Sequence, residues 1–245
     1  MPDLPVLYEE DGHVAIITLN RPPKNLWSEE VAQLLHQALC RLAEGEARVG
    51  VICANGDNFT MGADLYDFPK DVGLCIPGAG APSSKPLVAA VNGWCLGASI
   101  SLIQMCDLCV ASASTKFKYP EAKLGVAMGM IAGMVSRIPH KVAMEMILLG
   151  EVIGAQRAYE VGLVNKVVAD GEQLKAALEY ARTLADNAPL VIARLRSLAN
   201  KILPPNPAIE AYRSEAELAA MKNSQDFKEG IASLQQKRKA TFTGK

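Results

Sequence analysis

This chain of 245 residues has no charge excess: 25 Lys and Arg stand against 26 Asp and Glu, a formal net charge of −1. Without a broad basic field, a nucleic-acid partner is not expected. Local basic clusters exist, notably QQKRK (Gln235 to Lys239), and such a run reads as a solvated helix face. No run of about 18 uncharged apolar residues is present, so no membrane span is expected. The longest apolar run, around Gly125 to Val135, is broken by glycines. The opening MPDLPVLYEEDG carries acids where a secretory signal would carry a basic region, which leads us to expect a cytoplasmic protein. There is no GxGxxG after a strand and no GxxxxGK[ST], so dinucleotide and P-loop nucleotide sites lack support. Histidines are scarce: His13, His36 and His140, none in a motif with Ser or Cys, leave a nucleophilic triad unsupported.

Of the six cysteines, most lie in apolar segments, as buried thiols do in a reducing compartment. Cys106 and Cys109 form a lone CxxC. A four-ligand zinc site needs a second pair, and none is spaced to supply it, so no metal site is expected.

What the chain does have is apolar content: 50% hydrophobic against 21% charged residues. That suits one α/β domain with a helical extension. Pro5 to Leu19 reads as two strands joined at Asp11-Gly12. Ser28 is a plausible N-cap for a helix to about Glu44, with Val31, Leu34, Leu35, Ala38 and Leu42 on one face. Strands are expected at Val49 to Ala54, Leu87 to Val91, Leu108 to Ala111 and Thr115 to Tyr119. A Gly-rich turn and a helix to about Met105 follow Val91. Residues Asp71 to Lys85, with PGAGAP, form a conspicuous loop long enough to be a lid. Helices dominate after Lys141, with N-termini near Ala155, Glu172, Pro189, Pro207 and Ser224. Strands alternating with helices, then helices alone, predict an α/β core with an α-helical C-terminal portion.

Several segments carry a resemblance: ITLNRPPKN, DNFTMGADL, SKPLVAAVNGWCLGAS, MCDLCVAS, FKYPEAKLGV and AMEMILLGEVIGAQRAYEVGLVNKVV. In this order and near this spacing they resemble the crotonase superfamily, the enoyl-CoA hydratase/isomerase family, over most of Ile17 to Val168. The resemblance implies a repeated ββα spiral core over residues 1–190. It implies a C-terminal helical trimerisation or lid region over 191–245. It also implies a homotrimer or dimer of trimers and a thioester of coenzyme A or an acyl-carrier protein as ligand. No cofactor is expected beyond coenzyme A as part of the substrate.

The chemistry that such a ligand needs fits the residues. A thioester carbonyl that becomes an enolate requires preorganised donors aimed at its oxygen. By resemblance, these are the backbone N–H groups of Met61 and Ala98, with Gly62 and Gly97 keeping side chains out of the way. Ala98 stands where the family usually has glycine, and its methyl disfavours positive φ. The family places one carboxylate in a Pro-Glu motif, here Glu121, and another on the helix after the glycine turn. That second position is Ser101, whose hydroxyl cannot replace a carboxylic acid as proton donor. One carboxylate suffices to move a double bond from the 3,4 to the 2,3 position: it takes the α proton and returns it to the γ carbon. Isomerisation of an enoyl thioester is therefore the expected activity. Hydration or dehydration, decarboxylation and C–C hydrolysis share the enolate and remain alternatives. A non-catalytic acyl-CoA- or RNA-binding homologue is the alternative of a different kind.

Other candidates are weaker in pattern. Lys24, Lys70 and Lys239 could meet the phosphates of the coenzyme. Asp64, in GAD, reads as a structural acceptor or a substrate contact. Met128-Gly129-Met130-Ile131-Ala132 stands where relatives often carry Pro-Gly-Ala-Gly-Gly. Met128 and Gly129 are candidate substrate contacts, and Met128, Met130 and Met134 either line an acyl pocket or fill the core.

Overall fold

A computed structural model describes residues 4–126, 129–202 and 223–244. The first hairpin pairs β1 (Val6–Asp11) with β2 (Val14–Leu19) antiparallel, Val6 opposite Leu19. Gly12 takes the positive φ of +61° that the tight turn requires. Helix α1 (Glu29–Glu44) starts where the sequence predicts, with Ser28 Oγ accepting from Val31 N. Strand β3 (Val49–Ala54) then lies parallel to β2.

From here the chain repeats one pattern. Strand β4 (Leu87–Val91) leads to a short strand β5 (Trp94–Leu96) and helix α2 (Ala98–Gln104). Strand β6 (Leu108–Ser112) leads to short strand β7 (Lys116–Lys118) and helix α3 (Glu121–Leu124). The long strands join a six-stranded sheet of order β1-β2-β3-β4-β6-β9, parallel from β2 onward. The short ones build a second sheet, β5-β7-β8. A 3-10 helix (Gly129–Ser136), α4 (His140–Met144), a π-helical turn (Glu145–Leu149), β8 (Ile153–Gly154), α5 (Ala155–Glu160) and β9 (Lys166–Val168) follow. Helices α6 (Gln173–Asp186), α7 (Pro189–Ile202) and α8 (Gln225–Gln235) complete the described chain. The helix start expected near Pro207 lies outside the described residues. Strand β5 lies where the sequence predicts only a turn. A three-residue strand pairs on both sides without a local signal of its own.

Alternation in β3 sends Val49, Val51 and Cys53 to one face of the large sheet and Ile52 to the other. Ala176, Ala177, Ala181 and Ala185 of α6 cover the first face, their short side chains letting the helix lie close. The other face packs on α1 and the rest of the core, around Leu35, Leu39, Phe59 and Ile100. Each such aliphatic or aromatic side chain contributes about 1.5–3 kcal/mol on burial. Helix α8 folds back onto α3 of its own chain. A Cβ on Gly230 would lie within contact distance of Leu124 O, and one on Gly125 against Asp226 O, so both glycines are needed for the close approach.

Candidate active site

Three extended segments run side by side, and their C-terminal ends meet. Thr60 bridges to Cys95 in β5: Thr60 N donates to Trp94 O at 2.9 Å and Leu96 N to Thr60 O at 3.2 Å. On its other edge β5 pairs parallel with β7, Leu96 opposite Lys118, and Gly97 N donates to Lys118 O at 3.0 Å. The chain leaves the first segment through Gly62 and Ala63, the second through Gly97 and Ala98, and the third through Pro120 and Glu121. Two successive ββα units thus bring Gly97 and Glu121 together. A Cβ on Gly97 would lie 3.0 Å from Glu121 Oε1.

Gly97 holds φ +63° and ψ −129°, a conformation that L side chains rarely adopt, and caps α2. Ala98 is the first helical residue, so its N–H has no partner within the helix. No other main-chain acceptor receives it among the described residues. Gly97 takes the positive φ and Ala98 is helical, a geometry that accommodates its methyl. Ser99 Oγ donates to Leu96 O at 2.8 Å and braces the turn.

The 60–64 loop departs from expectation. Met61 N–H donates to Lys24 O at 2.8 Å, so it is spent inside the protein and cannot serve a ligand as well. This corrects the assignment of Met61 as a donor. Gly62, at φ +95°, donates its N–H to Thr60 Oγ1 at 3.0 Å, and its carbonyl accepts from Trp27 N. Asp64 N donates to Trp27 O at 2.8 Å. Among the described residues the amide left over is that of Ala63, two positions from the expected one. Its bridge to Trp27 uses its neighbours' groups and turns its own N–H the other way. No sequence signal shows that Met61 is taken, because Lys24 is distant in the chain.

Glu121 is 5% exposed, and its Oε2 has no hydrogen-bond partner among the described residues. Burial pushes its carboxyl up to about 8, and a hydrogen bond to its own backbone amide pulls the other way. Ser101, on α2, is 2% exposed and brings no second carboxylate. Asp64 is a turn former: its Oδ1 accepts from Tyr66 N at 2.9 Å and Asp67 N at 3.4 Å. Lys24, Lys70 and Lys239 are exposed. Gly129 opens the 3-10 helix that packs on α2, while Met130 and Met134 are buried in the core. Met128 lies outside the described residues. The CxxC cysteines are free thiols, raised by burial. The sequence reading also missed a pairing on α1, where Cys40 Sγ lies 3.5 Å from His36 Nε2. Their i, i+4 spacing was the available signal.

Residues 81–245 match the family model described as enoyl-CoA hydratase/isomerase. The (E)-benzylidenesuccinyl-CoA hydratase of Thauera aromatica is 31% identical, covering 98% of this chain and 100% of the relative. The 2,3-dehydroadipyl-CoA hydratase of Escherichia coli (strain K12) is 33% identical over 98% of this chain and 99% of the relative. The crystal structure of carnitinyl-CoA hydratase from Mycobacterium avium superimposes with a TM-score of 0.88 at 30% identity, covering 99% of both chains.

Proposed function

Since the chain belongs to the enoyl-CoA hydratase/isomerase family, the crotonase superfamily, we propose that it isomerises an enoyl-CoA thioester through an enolate. In this reading the thioester oxygen sits between the amides of Ala63 and Ala98, and Glu121 faces the adjacent carbon. Each amide donor aimed at the developing oxyanion is worth about 2.7–4 kcal/mol of barrier. The carboxyl of Glu121 takes the α proton and returns it to the γ carbon. A group poised near the working pH does both well, because it is neither too weak a base nor too weak an acid.

The observation that carries this reading is the buried, half-satisfied Glu121 against Gly97, with Ser101 in place of a second carboxylate. Hydration or dehydration is the second reading, favoured by the names of the relatives. There a water must be activated beside the alkene, and Glu121 alone would hold it.

One experiment separates the two. The protein is incubated with 3-enoyl- and 2-enoyl-CoA panels in deuterated water, and products are followed by mass spectrometry. Deuterium entering the α or γ position with the double bond shifted, and no water mass gained, supports isomerisation. Net gain of water as the main turnover replaces it with hydration.

A further inference from the structure

Away from the acyl site, α1 carries a paired thiol and imidazole. His36 Nδ1 lies 2.9 Å from Leu74 O. A carbonyl only accepts, so Nδ1 holds the ring proton and Nε2 of the neutral imidazole is an acceptor. That acceptor is the atom 3.5 Å from Cys40 Sγ. The result is a thiol, a base facing it, and a third group that fixes the tautomer of the base.

The pair opens onto a groove of about 470 Å³, lined by His36, Gln37, Cys40, Arg41, Glu44 and Gly45. Cys40 is partly exposed, whereas Cys53, Cys75, Cys95 and Cys109 are buried. Cys106 is partly exposed too, but its thiol donates to Leu102 O, and no imidazole pairs with it among the described residues. Arg41 and Glu44 give the groove charges of both signs, complementary to a small zwitterionic peptide.

We propose that Cys40 is a site of reversible S-thiolation by a low-molecular-weight peptide disulfide of the glutathione type, with His36 as its base. In the step, Cys40 passes its proton to His36 Nε2 and its sulfur bonds to one sulfur of the disulfide. The S–S bond breaks, and the departing thiolate takes the proton back from the imidazolium. The disulfide is the oxidant, and the leaving thiol is its reduced half. Burial, and then the Glu44 carboxylate, hold the Cys40 thiol above its ordinary value, so its reaction depends on a neighbouring base. The same imidazole ties α1 to Leu74, in the 3-10 helix Val72–Cys75, so an adduct would sit beside that anchor.

The test is to incubate the full-length protein with excess glutathione disulfide near neutral pH, then map adducts by intact mass and peptide mass spectrometry. One adduct, on Cys40 and reversed by a dithiol, is expected, and none in Cys40→Ser. His36→Gln should slow adduct formation at least about tenfold at neutral pH, with the rate recovering as alkali replaces the base. His36→Asn serves the same purpose if the first variant does not fold. No adduct, an adduct mapped to Cys106, or equal rates in the folded histidine variant would overturn the proposal.

Discussion

The loop from Thr60 to Asp64 and the turn from Leu96 to Ser99 each present one amide, by different means. In the loop, main-chain bonds pin both sides of Ala63: Met61 to Lys24, Gly62 and Asp64 to Trp27. The free N–H is a remainder, left when its neighbours have been used. In the turn, the free N–H follows from the start of a helix, and one glycine at φ +63° sets its direction. The first arrangement is held by many contacts and should tolerate side-chain changes. The second depends on one residue whose missing side chain would meet Glu121, and should not.

Variants can break this comparison. Ala63→Pro removes the leftover N–H and should cost about 10²–10³-fold in kcat, with circular dichroism confirming the fold. A wild-type rate would return the donor role to another amide. Glu121→Gln should cost at least about 10²-fold in turnover. It also carries a stability signature. The folded protein resists ionising Glu121, so wild-type stability falls as pH rises from 4.5 through about 8, and the glutamine variant escapes that loss. Melting temperatures across that range should diverge, the variant melting higher at the alkaline end.

Gly97→Ala sharpens the contrast. A methyl there meets both a strained φ, worth about 1–3 kcal/mol, and Glu121 Oε1. Turnover should fall at least about tenfold, along with the melting temperature. Gly62→Ala strains the backbone as well, but its methyl would meet Leu96 at ordinary contact distance, Cβ at 3.6 Å and O at 3.7 Å. Its kcat loss should be smaller than that of Gly97→Ala, and the reverse order would contradict the comparison. Met61→Ala should leave kcat within about twofold, since only its backbone is used, and internally.

The local elements were legible because their causes are local. Ser28 caps α1 with its own side chain, Gly12 turns the hairpin, and the apolar spacing of α1 names its buried face. Glu121 and Ala98 stood out through their motifs. By contrast, Met61 and Ala63 look alike in the chain, and only a partner at Lys24 tells them apart. The fate of Asp64 as a turn acceptor and of Met130 and Met134 as core was likewise open until their neighbours were known.

By itself, then, the amino-acid order determined the strand–helix alternation, the family and the single carboxylate at Glu121, since propensity, capping and residue identity need no distant partner. Tertiary structure alone decided which amide stays free and how dry Glu121 becomes. It also fixed the tautomer of His36, through the carbonyl of Leu74. Those properties depend on hydrogen bonds and burial between segments far apart in the chain, and they exist only once the sheets have formed.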